Sequence, residues 1–293
     1  MPKVPNVTNN MSIRNAIQSA AERFEDAGIG DSRLEAEVLI AYVMGSSRGT
    51  LLANPDEHLP IENQQRLNEC IARRLNREPI ACITGHKEFF GIDFIVTPDA
   101  LIPRPETELL VEQVLQIVKS KSDCRWIADI GTGCGAIAVA LAVHLPGVKV
   151  LATDISPAAL EVAKQNAKRA GVSDRIQFVC GDLLDPLNGI FDIIVANLPY
   201  VSDAEMKELP RDVRQYEPHV ALAGGPQGLD FIDRLLFQAG DRVNPGGSIL
   251  LEIGYKQGRT VRELANRYLP QADVEVMQDL GGNDRVAVIS RQS

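Results

Sequence analysis

The sequence predicts an α/β fold: a mostly parallel, seven-stranded sheet preceded by a small helical bundle. Three observations lead there. From Trp126 onward, short apolar runs alternate with helical patterns, the spacing of a parallel sheet covered on both faces. A glycine-rich turn, Gly131-Thr132-Gly133-Cys134-Gly135, follows the first of those runs and opens a helix. The first eighty or so residues carry helical periodicity instead.

Residues 1–11 hold one lysine and several asparagines but no apolar stretch, so no secretory signal is visible and a frayed end is expected. Residues 12–27 place Ile13, Ala16, Ile17, Ala20 and Phe24 on one helical face and stop at Gly28. Asp31 or Ser32 is the expected N-cap of the next helix, with Glu35 at capping-box distance from Ser32. That helix should bury Leu34, Val38, Leu39 and Val43 and end at Gly45. A third, from Pro60, carries Leu67, Ile71 and Leu75 and ends before Pro79. The period then changes: residues 89–96 are aromatic and β-branched around Gly91, which suggests a hairpin linker. A helix from Glu106 to about Lys119 starts beside Pro105, with Glu106 and Glu108 in its first turn.

Strands are expected near residues 126–130, 148–153, 175–179, 191–196 and 248–253. Helices should start after Gly135, at Ser156-Pro157 and near Leu229. Residues 274–276 and 285–289, joined by Gly281-Gly282-Asn283-Asp284, should finish the sheet with an antiparallel edge. The expected domains are a helical unit over 1–84, a hairpin linker over 85–103 and an α/β domain over 104–293.

Composition narrows the function. With 45% hydrophobic and 24% charged residues the chain can bury a real core. No apolar run approaches the roughly 20 residues of a membrane span. A net charge of -9 argues against a chain that grips a phosphate backbone by itself. The cluster Arg66, Arg73, Arg74 and Arg77 is read as a solvated helix face, with a small basic patch as the alternative. The five cysteines follow no metal or disulfide spacing, so reduced thiols, a cytoplasmic location and no metal are expected.

The chemistry collects where strands end. The run 191–196 breaks into Asn197-Leu198-Pro199-Tyr200, and ligands of open α/β sheets bind beyond such carboxyl ends. The Asn197 amide both donates and accepts, Pro199 fixes the loop backbone, and Tyr200 offers a flat face. Together they suit a planar nitrogen. The glycine turn alone is weak evidence for a nucleotide, but Asp154 closes the next strand 23 residues after Gly131, where a carboxylate takes ribose hydroxyls. Asp129 sits where an amino-acid ammonium would need an anion. Asp182, with Leu183 beside it, is placed to accept from an adenine amino group; a turn-capping aspartate is the alternative. That combination favours S-adenosylmethionine over NAD, and hence methyl transfer, a positioning problem that needs no metal and no covalent nucleophile.

These residues resemble one family, the release factor glutamine methyltransferases, over nearly the whole chain. The resemblance is carried by Arg77-Glu78-Pro79-Ile80, by residues 101–108, by the glycine turn and Asn197 to Tyr200, and by Tyr216-Glu217-Pro218. It continues through Gly224-Gly225-Pro226-Gln227-Gly228-Leu229-Asp230 and Leu251-Glu252-Ile253-Gly254. It implies a class I, Rossmann-like methyltransferase fold, partner binding by the 1–84 unit, catalysis by the 104–293 domain, and methylation of the glutamine amide in the Gly-Gly-Gln loop of peptide chain release factors. By the same resemblance Asp129, Gly131, Thr132, Gly133, Cys134, Gly135, Asp154, Asp182, Leu183 and Asn197 would cradle the cofactor. Asn197, the Leu198 carbonyl, Pro199 and Tyr200 would hold and align the substrate amide, with Arg104 and Glu106 near the pocket. Arg104, Glu106 and Thr107 read equally well as a helix N-terminus. The family's tetrapeptide is usually Asn-Pro-Pro-Tyr, and Leu198 replaces its first proline. Asn-Leu-Pro-Tyr is also the form in ribosomal RNA adenine dimethyltransferases, so an adenine-N6 methyltransferase is the rival reading. The expected enzyme is a monomer whose partner is a protein, with neither nucleic acid nor membrane bound.

Overall fold

The computed structural model describes residues 11–121 and 124–292; the expected frayed end, residues 1–10, lies outside the described residues. The chain divides into two compact units, the first ending at Gly85 and the second beginning at His86.

The first unit holds α1 (Ile13–Asp26), α2 (Ser32–Met44), α3 (Arg48–Ala53), α4 (Ile61–Leu75) and α5 (Ile80–Thr84). α1 buries the five apolar residues its period marks, and Ser12 caps it by accepting from the Asn15 N–H. α2 departs from expectation. It buries Ala36, Leu39, Ile40 and Val43, while Leu34 is 43% exposed. The capping box does not form, because Ser32 Oγ donates to the Ile29 carbonyl and Glu35 pairs with Arg74 of α4 at 2.6 Å. Arg74 is itself buried, Arg73 pairs with Glu78, and Arg77 donates to the carbonyls of Ala27 and Gly28. Only Arg66, stacked 5.9 Å over the Tyr42 ring, fits a solvated face. The other three arginines bind the helices of this unit together. α3 and α5 are six and five residues long, too short to show a period in sequence.

The second unit opens with a hairpin, β1 (His86–Phe89) and β2 (Ile92–Ile95). Its two-residue turn, Phe90 at φ 52° and Gly91 at φ 73°, matches the right-handed twist of the strands. The hairpin is packed into this unit: Phe89 and Phe94 are fully buried in its core. α6 (Glu108–Ser120) begins after a tight turn at Pro105–Thr107 rather than at Glu106.

Strands β3 (Trp126–Ile130), β4 (Lys149–Asp154), β5 (Ile176–Cys180), β6 (Phe191–Ala196), β7 (Val243–Glu252), β8 (Ala272–Gln278) and β9 (Asp284–Arg291) form one sheet in the order β5-β4-β3-β6-β7-β9-β8. The first five run parallel; β9 pairs antiparallel with both β7 and β8, so it alone runs against the rest, and β8 rather than the last strand lies at the edge. This is a Rossmann-like α/β architecture. α7 (Ala136–His144) is apolar on all sides and buried from Ala136 to Ala142, as a helix covered by neighbours must be. α8 (Pro157–Arg169) and α10 (Asp230–Ala239) start where the sequence indicates; the short α9 (Arg211–Tyr216) and α11 (Gly258–Tyr268) do not appear in the sequence reading.

Register positions the site. Ile130 at the end of β3 pairs with Thr153 on one side and with Ala196 on the other. Gly131, Asp154 and Asn197 therefore leave the sheet at one level, across the point where strand order reverses. Among the described residues no helix is long and apolar enough to cross a membrane.

Candidate active site

A cleft lies at that switch point, with about 1060 Å³ of empty space counted with its open mouth. Its walls include Gly131, Thr132, Gly133, Cys134, Asp154, Asp182, Leu183, Asn197, Leu198, Pro199 and Arg104. Asp129, Gly135, Glu106 and Tyr200, also expected in the site, do not line it.

The glycine turn is held by the end of β4. Thr132 N–H donates to the Thr153 carbonyl and Gly133 N–H to Asp154 Oδ2, each at 2.8 Å. Gly131 sits at φ 72°, and a Cβ there would come 2.9 Å from Leu198 Cδ2. The turn and the Asn197 loop thus approach as closely as a bare backbone permits. Asp154 Oδ1 accepts from the Ser156 N–H at 2.8 Å. Burial pushes the Asp154 carboxyl up, and the N–H groups of Ser156, Gly133 and Ile155 pull it back.

Asp129 lies behind the turn. It is fully buried, and its Oδ2 accepts from Thr132 Oγ1 at 2.6 Å and the Ala138 N–H at 3.1 Å. It braces the turn from behind. Its other oxygen, Oδ1, has no hydrogen-bond partner, and burial raises its pKa to about 7. Cys134 lies in the wall, but burial pushes its thiol up to about 12, so it is no nucleophile at neutral pH. Asp182 lies at the rim, paired with Arg234, and the Leu183 carbonyl accepts from Thr153 Oγ1 at 3.0 Å.

On the opposite wall Asn197 Nδ2 donates to Thr107 Oγ1 at 3.0 Å. Thr107 Oγ1 donates to Glu252 Oε2 at 2.6 Å, and the Tyr200 hydroxyl donates to Glu252 Oε1 at 3.1 Å. Burial pushes the Glu252 carboxyl up; the two hydroxyls and Arg285 oppose it. Tyr200 therefore points its hydroxyl into the protein and faces a second concavity with Tyr255 and Arg285. Arg104 is committed to buried Glu217, which also accepts from the Ile102 N–H at 3.3 Å. Glu106 is exposed and away from the cleft.

Residues 15–85 match the model of the PrmC N-terminal domain, and residues 105–212 that of the methyltransferase small domain. A release factor glutamine methyltransferase of Moorella thermoacetica is 44% identical over 283 residues, 96% of this chain and 99% of that one. The chain belongs to the release factor glutamine methyltransferase family. A second member, from Koribacter versatilis, is 41% identical over 95% of this chain and 98% of its own. A methyltransferase from Pyrococcus furiosus shares the fold at TM-score 0.52 and 22% identity, covering 78% of this chain and 98% of its own.

The family's Gly-Gly-Pro-x-Gly-Leu-Asp run has a structural purpose here. Gly228, at φ 72°, lies so close to the loop that a Cβ would stand 2.1 Å from the Tyr200 carbonyl. Gln257 Nε2 reaches the carbonyls of Tyr200 at 2.9 Å and Gly228 at 3.0 Å, tying the two loops together. Asn166 of α8 does the same on the other wall, holding both backbone groups of Ile95 and the Cys134 carbonyl. Sequence reasoning gave no role to Asn166, Glu217, Glu252 or Gln257, although Glu217 and Glu252 lie in segments that carry the family resemblance. For Glu252 a signal existed: it is a lone carboxylate inside the apolar run Ile249-Leu250-Leu251-Glu252-Ile253. A charge in such a run is retained only with partners.

Proposed function

We propose that this chain transfers a methyl group from S-adenosylmethionine to the side-chain amide N5 of the glutamine in the Gly-Gly-Gln motif of peptide chain release factors. The observation that carries the reading is the junction of the glycine turn, Asp154 and Asn197 in one cleft, in a member of the release factor glutamine methyltransferase family. The cleft fits the cofactor. A Cβ at Gly133 would meet no protein atom within 4 Å, so the backbone there stands open toward a ligand. Asp154 offers a lone pair on each oxygen beside its bonds to Gly133 and Ser156, enough for two ribose hydroxyls. Asp182 and the Leu183 backbone flank the place of the adenine.

When bound, the sulfonium supplies an already activated methyl group. The protein's part is to aim the nitrogen. Asn197 Oδ1 and the Leu198 carbonyl accept the two N–H bonds of the substrate amide and favour the positive charge that develops on its nitrogen. So aimed, the nitrogen would take the methyl group that the sulfonium supplies, the carbon–sulfur bond breaking, and the amide's surplus proton would leave to solvent. Pro199 restrains the loop, and Tyr200 anchors it through Glu252. The helical unit ending at Gly85 engages the release factor, and the enzyme acts as a cytoplasmic monomer without binding nucleic acid.

The test is mass spectrometry of a purified bacterial release factor after incubation with this protein and S-adenosylmethionine. A gain of one methyl group on the Gly-Gly-Gln glutamine is expected. Labelled methyl appearing in ribosomal RNA, with the release factor unchanged, would replace the reading with adenine methylation.

A further inference from the structure

We propose that Glu252 and Thr107 set the hydrogen-bond polarity of Asn197, and so make the cleft select a carboxamide over a carboxylate of the same shape. The inference rests on the substrate reading above and adds to it the residues that impose the choice. An asparagine side chain has two nearly isosteric ends, one donating and one accepting, and a half-turn of its last torsion exchanges them. Which end faces the cleft decides whether Asn197 welcomes an N–H group or an oxygen.

The direction is fixed from the buried end of the chain. Glu252 as a carboxylate has only acceptor sites, so both hydroxyls that touch it must donate. Thr107 Oγ1, 2.6 Å from Glu252 Oε2, gives its one proton there. Its remaining capacity is acceptance, and the group facing it at 3.0 Å is the Asn197 side chain. Only the NH2 end of Asn197 satisfies that contact; the turned amide would set two acceptor oxygens against each other. Oδ1 is thereby left as the end presented to the cleft. Tyr200, 3.1 Å from Oε1, fills the other oxygen of Glu252 and belongs to the same loop as Asn197. Thr107 and Glu252 are both buried, 4% and 1% exposed, so water is poorly placed to substitute for either. They come from the turn before α6 and the end of β7, separated by 145 residues, and meet under Asn197.

A glutamine amide brings two N–H groups to Oδ1 and the Leu198 carbonyl. A glutamate carboxylate in the same slot brings only acceptors, and buried acceptors left facing acceptors penalise binding heavily. Neither Thr107 nor Glu252 touches the substrate in this scheme; both are positioning residues.

The experiment compares wild type with Thr107→Val, Thr107→Ser and Glu252→Gln, each close to isosteric. Steady-state kinetics are measured on a release factor with its Gly-Gly-Gln loop, and binding on the same factor with glutamate in place of that glutamine. Thr107→Val should lower kcat more than tenfold with the KM for S-adenosylmethionine within threefold of wild type, and should narrow the preference for glutamine over glutamate. Thr107→Ser, which keeps the hydroxyl, should restore most of kcat. Glu252→Gln, which lets the relay run in either direction, should fall between. A second readout needs no turnover: the Asn197 side-chain NH2, assigned by its loss in Asn197→Ala, should show slowed hydrogen exchange by NMR in wild type and Thr107→Ser but not in Thr107→Val. Unchanged kcat and preference in Thr107→Val, or equal exchange in all variants, would overturn the inference. Absence of methylation by wild type would instead refute the substrate reading, and the exchange data would still decide the polarity of the relay.

Discussion

Asp154→Ala is the most informative single perturbation of the proposed cofactor site. The carboxylate holds Gly133 and Ser156 N–H groups at 2.8 Å each and, on the proposed reading, receives two ribose hydroxyls as well. A hydrogen bond to a charged acceptor contributes about 1.5–3 kcal/mol, and about 1.4 kcal/mol is tenfold in affinity. Loss of one ribose bond should therefore raise the Kd for S-adenosylmethionine by roughly 10- to 100-fold, and loss of both by more. The alanine also frees two backbone donors that shape the glycine turn, which adds to the loss. Because Asp154 lies away from the Thr107–Glu252 relay, kcat at saturating cofactor should stay within several-fold. Isothermal titration calorimetry gives the Kd, and initial rates with saturating cofactor give kcat. Asp154→Asn keeps one acceptor but turns an NH2 toward one of the two backbone N–H groups, so it should recover only part of the affinity. A Kd within twofold of wild type in Asp154→Ala would refute the assignment of the ribose to this carboxylate.

Three further outcomes follow from the geometry. Asn197→Ala should leave cofactor affinity within several-fold while lowering turnover more than tenfold, measured by the same two assays, because it removes the amide acceptor without touching the glycine turn. Gly228→Ala would place a Cβ 2.1 Å from the Tyr200 carbonyl at a left-handed φ, so it should lower both the melting temperature and kcat by displacing the Asn197 loop. Asp129 has a folded pKa of about 7 against an ordinary value near 3.8, so the native state binds its proton more tightly than the unfolded chain. Its contribution is full below the unfolded value and is lost as pH rises through the folded one. Relative to wild type, Asp129→Asn should therefore gain stability as pH rises from about 4 to about 7 in urea denaturation, and a pH-independent difference would count against the assigned shift.

The sequence by itself determined the class of fold, the strands that flank the cleft and part of its wall. Local signals suffice for these. A glycine turn between a strand and a helix, an aspartate ending the next strand, and Asn-x-Pro-Tyr ending another all lie within a few residues of the element that fixes them. Since a parallel sheet aligns its carboxyl ends, Gly131, Asp154 and Asn197 were bound to converge once their strands were recognised. The fine direction of side chains was not legible in this way. Leu34 looked inward by period, yet the Glu35–Arg74 contact accompanies a helix whose apolar face lies elsewhere. Asp129 looked like a ligand contact by position, yet the α7 backbone and Thr132 claim it for the turn.

Only the tertiary structure decided what stands behind Asn197. Thr107 and Glu252 are 145 residues apart, and neither a helical nor a strand period relates them. Their meeting depends on β7 lying beside β6 and on the 105–107 turn reaching the end of β7. A buried carboxylate needs donors, and the fold supplies them from the loop that presents Asn197 and from the turn that follows Arg104. Residue type told what each group offers; the packing of distant segments determined which of its ends is left to face the cleft.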